Sequence, residues 1–186
     1  MDRLPKVAIL TRLARELRER GSWCGETHLQ KAVYLLQEML GVPLGFSYIL
    51  YHHGPYSFDL ADEITALRAD GLMELEPQAP QYGPKLRPSE RAATLEGLFP
   101  RTMGTYERHI RFVADKLGHM GVVSLERLAT AFYVMQELPD ADLPQRRDRL
   151  IRLKPHIKQE FAEQAFQEVE VMQREAMSLP QTPAAQ

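Results

Sequence analysis

The sequence holds a single cysteine, Cys24, so no internal disulfide can form and nothing marks an oxidising compartment. No uninterrupted apolar run approaches the ~18 residues that a membrane-spanning helix needs. The opening residues Met1-Asp2-Arg3-Leu4-Pro5-Lys6 lack the apolar core of a signal peptide. A soluble, cytoplasmic protein is therefore the expectation. No charge of one sign dominates, with 23 Lys plus Arg against 25 Asp plus Glu. A dedicated nucleic-acid coat would be strongly basic, although a local basic face stays open. There is no P-loop and no Gly-x-Gly-x-x-Gly, so nucleotide binding has no support. No cysteine–histidine set has zinc-ligand spacing, so no metal and no cofactor are expected.

What is present is the balance of an ordinary globular chain, 44% hydrophobic and 26% charged over 186 residues. The fold expected is α+β and mainly α. A first helix should run from about Pro5 to Arg20, with Val7, Leu10, Leu13, Ala14 and Leu17 on one face. Arg12, Arg15, Arg18 and Arg20 then read as a solvated face. Thr27 and Gln30 have the form of a capping box, opening a second helix to about Leu40 with Lys31 facing out. Phe46 to His53 reads as a strand ended by Gly54-Pro55. Ser57 caps a helix ending near Gly71. Leu72 to Glu76, a loop holding Pro80, and Lys85-Leu86-Arg87 then make a β-wing. Residues 1–98 thus form a winged-helix-like module. Residues 99–177 form a helical extension packed on it, and 178–186 a disordered tail. Within the extension, helices are expected from Thr102, from an N-cap at Ser124 and from Pro155.

No catalytic set assembles. His52 and His53, adjacent on a strand, would point to opposite faces. Ser57, Asp59 and His53 have the residue types of a triad, but the nucleophile turn is missing and Ser57 serves as a cap. Cys24 with His28 four residues on is more simply a structural thiol. Arg146, Arg147, Arg149, Arg152, Lys154 and Lys158 make a basic run that reads as a solvated helix end.

The stretches HLQKAVYLLQ (28–37) and FSYILYHHGPYS (46–57), followed by Leu67 and Gly71-Leu72, resemble the YwgA-like proteins. More distantly, they are similar to the Panacea domain of the SocA-type antitoxins. SLERLATAF (124–132) and Leu153-Lys154-Pro155-His156 look like the rest of that pattern, so the resemblance covers roughly residues 5–175. His53 stands where the pattern usually has an aromatic before Gly-Pro. The resemblance implies a compact helical domain from toxin–antitoxin or phage-related settings, with no catalytic residues.

The function expected is that of a non-enzymatic protein-binding regulator, antitoxin-like or defence-associated, with a toxin as one candidate partner. Lys31, Tyr51, His53 and Tyr56, gathered around the Gly54-Pro55 turn, are the candidate partner-binding residues. The alternative is a winged-helix DNA-binding regulator that contacts DNA through Lys85, Arg87 and Arg91.

Overall fold

The computed structural model describes residues 1–79 and 83–182. The loop position Pro80 and the last four residues of the expected tail lie outside the described residues. Among the described residues the chain is mainly helical, with two small antiparallel hairpins.

The elements run α1 (Arg3–Glu19), α2 (Glu26–Glu38), β1 (Ile49–Tyr51), β2 (Gly54–Tyr56), α3 (Phe58–Ala69), β3 (Met73–Glu76) and β4 (Lys85–Pro88). Among the described residues five helices follow: the short α4 (Glu90–Gly97), then α5 (Pro100–Leu117), α6 (Val122–Glu137), α7 (Leu143–Leu153) and α8 (Gln159–Ala176). No helix among the described residues is long and apolar enough to cross a membrane.

The helix–helix–helix–wing order of the first half is present. Ser57 caps α3 by accepting the Leu60 N–H at 3.2 Å, and Leu60, Ile64 and Leu67 form its buried stripe. Gly71 takes the left-handed position after the helix, at φ +68°. β3 and β4 then pair as the wing, Met73 opposite Pro88 and Glu76 opposite Lys85.

Several local expectations are corrected. The expected strand 46–53 is only Ile49–Tyr51, and Gly54-Pro55 does not break it off but returns as β2. His52 and His53 form the turn between them, and Gly54, at φ +87°, occupies the left-handed position that follows such a turn. The N-cap of α2 is Gly25, not Thr27, because Gln30 is used elsewhere. Gln30 accepts the Ser57 N–H at 3.0 Å and donates to the Ser57 carbonyl at 2.9 Å, tying α2 to the start of α3. α6 starts from an N-cap at Gly121, earlier than the expected Ser124, and α8 from Lys158, later than the expected Pro155. α7 replaces the expected solvated helix end, and Lys154 just beyond it is buried.

The α1 arginines are not a solvated face either. Arg12 and Arg20 bind the buried Glu16 at 2.9 and 2.6 Å. Arg15 reaches Glu96 of α4 at 3.1 Å, Arg18 reaches Glu76 of the wing at 3.1 Å, and Arg20 also meets Asp115 of α5. α1 is central, so even its polar side must find partners among its neighbours. One continuous core runs from Val7 in α1 to Met172 in α8. Of the tail, 178–182 is described, and Pro180 places its carbonyl 2.8 Å from Nε2 of His109, so this part is held rather than free.

Candidate protein-interaction site

The β1–β2 hairpin rests on the helical body through two buried ammonium groups. Lys31 of α2 is only 1% exposed. Its Nζ donates to the Pro55 carbonyl at 2.9 Å. This corrects the outward placement of Lys31: α2 is covered by α1, α3, α5, α6 and β2, which leaves no solvent face at its middle. Lys154, following α7, donates to the Tyr51 carbonyl at 3.1 Å and to the His52 carbonyl. Carbonyls on both sides of the turn are thus held from below. Such charge-assisted hydrogen bonds are stronger than neutral ones.

Glu126 of α6 sits between the lysines. Its Oε1 lies 2.9 Å from the Lys154 ammonium, and both groups are buried. Burial drives the Lys31 pKa down to about 8, against the pull of Glu126, and the neighbouring Lys154 adds to the fall. Two cations thus share one buried carboxylate. Gly54 closes over the same spot: a Cβ there would stand 3.0 Å from the Thr130 hydroxyl and 3.5 Å from the Glu126 carbonyl.

His53 Nδ1 and His156 Nε2 approach the same carboxylate, at 3.6 and 3.8 Å, from the exposed side. These are metal-ligand residue types, but the Lys154 ammonium already stands against Glu126. Among the described residues no three such groups converge as ligands would.

Above this base the hairpin carries aromatics. Tyr51 is 45% exposed and Phe58, at the start of α3, is 54% exposed. Tyr56 completes a triangle, with ring centroids 5.7 Å from Tyr51 and 5.1 Å from Phe58, and Tyr51 lies 5.7 Å from Phe58. Its hydroxyl donates to Glu26 at 2.9 Å. Burial and that carboxylate push the Tyr56 pKa up to about 12, so the hydroxyl keeps its proton.

The structure therefore brings together Tyr51, His53 and Tyr56 at the surface and puts Lys31 beneath them as support. Phe58 and the clamp residues Lys154 and Glu126 were missed from sequence. Phe58 lay one residue after a recognised cap, and the i, i+4 neighbour Asp62 marks its exposed face. Lys154 and Glu126 are distant in sequence from the hairpin, and nothing local signals that they meet it.

The wing residues are elsewhere and differently engaged. Lys85 places its ammonium 4.3 Å over the Trp23 ring. Arg87 pairs with Glu74 and, at 3.3 Å, with Glu76. Arg91 is exposed on α4 beside Gly71. α3, the helix in the recognition position, carries Asp59, Asp62 and Glu63 against Arg68, an acidic balance.

The remaining nucleophile candidates are occupied. Cys24 is buried, its thiol 3.6 Å from the Ala14 carbonyl, and burial pushes its pKa up to about 12. His28 uses Nε2 to meet the Met120 carbonyl at 2.9 Å, and burial lowers its pKa. Ser57 is fully buried under its cap bond. Compared with known proteins, the chain matches no family model and no curated protein.

Proposed function

We propose that this chain is a non-enzymatic protein-binding regulator whose β1–β2 hairpin and α3 start form the binding surface. The observation that carries this reading is the exposed Tyr51–Tyr56–Phe58 triangle on a hairpin fixed from below by Lys31 and Lys154. Aromatic anchors held rigid in advance lose little entropy when a partner docks, and such residues dominate interface energies. The engaged states of Cys24, Ser57 and His28 support a role without catalysis. The resemblance to YwgA-like and Panacea proteins supports an antitoxin-like or defence-associated setting, with a toxin as one partner class.

The DNA-binding alternative draws on the wing and on Lys85, Arg87 and Arg91. It is second because Arg87 is already paired with two glutamates and α3 would bring carboxylates toward phosphates.

The test is affinity capture from native cells with the wild-type chain and a Tyr51→Ser/Phe58→Ser variant. Both positions are exposed, so the helical circular dichroism should not change. Lys31 is unsuitable for this purpose because its removal disturbs the support. A specific protein should be recovered by the wild type and lost by the variant. Equal recovery by both would move the surface elsewhere, and recovery of nucleic acid alone would overturn the reading.

A further inference from the structure

The aromatic triangle does not stand alone. Phe58 and Asp62 are one turn apart on α3, so they share a face. Asp59 lies beside Phe58, and Asp62 bears electrostatically on Tyr56. Glu26, exposed at the start of α2, holds the Tyr56 hydroxyl. Glu63 of this helix and Asp70 at its C-cap are spoken for, since Arg3 binds each at 2.8 Å. Among the described residues no ion pair takes Asp59, Asp62 or Glu26.

From this we infer that the partner segment docking on the triangle is cationic, an exposed arginine- or lysine-bearing stretch of another protein. The inference rests on the protein-binding reading above and specifies the chemistry of the same site. Aromatic faces attract cations through their quadrupole, and carboxylates beside them add a direct charge complement. The rings are 5.1–5.7 Å apart in tilted and edge contacts, too close for a cation to enter between them. The cation therefore lies over the outward faces of Tyr51 and Phe58, within reach of Asp59 and Asp62. A guanidinium suits this arrangement best, because its plane can stack on a ring while its edge donates to a carboxylate.

The cations nearest the patch do not cancel this balance. Lys154 is buried and already engaged by Glu126 and by the Tyr51 and His52 carbonyls. Lys31 is buried beneath Pro55. The His52 ring lies tilted against Tyr51 at 4.3 Å, and His53 Nδ1 lies 3.6 Å from the Glu126 carboxylate.

The test uses the full ¹⁵N-labelled chain and two short capped peptides at millimolar concentration, Ac-Arg-Leu-Arg-Arg-NH2 and Ac-Glu-Leu-Glu-Glu-NH2. The arginine peptide should shift the amide signals of Tyr51, Tyr56, Phe58, Asp59 and Asp62 as one set. The response should weaken about tenfold in Asp59→Asn/Asp62→Asn and again at about 0.5 M salt. Shifts confined to other surfaces, no shift at all, or an equal response to the glutamate peptide would overturn the inference. Capture with the same Asp59→Asn/Asp62→Asn variant separates the two levels. If it retains a partner that Tyr51→Ser/Phe58→Ser loses, the cationic chemistry falls and the binding surface stands. If both variants retain that partner, the surface itself falls.

Discussion

Lys31 shows how far one residue can depart from its sequence appearance. On a helix a lysine between apolar positions ordinarily marks the solvent side, and here it lies under a turn, bound to the Pro55 carbonyl. Its pKa of about 8 in the folded chain lies below the ordinary 10.5. Between these two values the unfolded chain holds the proton and the folded chain does not. Stability should therefore rise with pH across that window, by roughly 3 kcal/mol, and Lys31→Met should remove the rise. Denaturant titrations of both chains from neutral to alkaline pH measure it; parallel curves would show that Lys31 titrates normally. The same cluster orders two substitutions. Lys31→Met leaves Lys154 and Glu126 balanced and should cost about 1–2 kcal/mol for the orphaned carbonyl. Glu126→Gln leaves two buried ammonium groups without a counterion and should cost about 3–5 kcal/mol. Tyr51, His53 and Tyr56 were legible as a surface cluster because a turn and its flanks are contiguous in sequence. Their support was not, because it arrives from α2, α6 and the end of α7.

At the scale of elements, sequence was most informative where one residue has one local duty. Ser57 as a cap, Gly71 as a left-handed terminus and the β3–β4 wing are all local signals, and all are present. It was least informative where a residue could serve either locally or across the fold. Gln30 looked like half of a capping box and instead bridges to Ser57. α7 had a usable signal, a capping box between Asp142 and Gln145, hidden by the basic residues that follow. Those residues are consumed by the fold: Arg146 meets the Leu138 carbonyl, Arg147 meets Glu163 and Arg149 meets Glu137. The wing bears on the alternative function in the same way. With Arg87 paired and α3 acidic, the chain should bind duplex DNA only weakly, without sequence preference and with strong loss on adding salt. Lys85→Ala/Arg87→Ala should change that weak binding alike on every sequence. Fluorescence anisotropy with a randomised duplex pool reads this. A tight, sequence-selective complex at physiological salt would put the DNA-binding reading first.

The whole molecule ties the two halves together more closely than a module with an appendage would. α1 lies against α2, α4, α5 and β4, so part of its apolar surface is covered only by residues beyond 98. Tyr106, Ile110, Val113 and Leu117 of α5 are all buried in the common core. The hairpin has the same dependence, since Lys154 and Glu126 both lie beyond residue 98. A chain cut there would expose one face of α1, lose the carbonyl contacts at Tyr51 and His52, and leave Lys31 buried without its carboxylate. Residues 1–98 alone should therefore fail to fold, and the full chain should unfold in one cooperative step. Far-ultraviolet circular dichroism follows all the helices, while the single tryptophan, Trp23, reports on the wing through its contacts with Lys85 and Gly83. The two signals should give coincident denaturation curves. A fragment 1–98 with dispersed amide resonances, or a Trp23 transition separated from the loss of helix, would show instead that the winged half stands by itself.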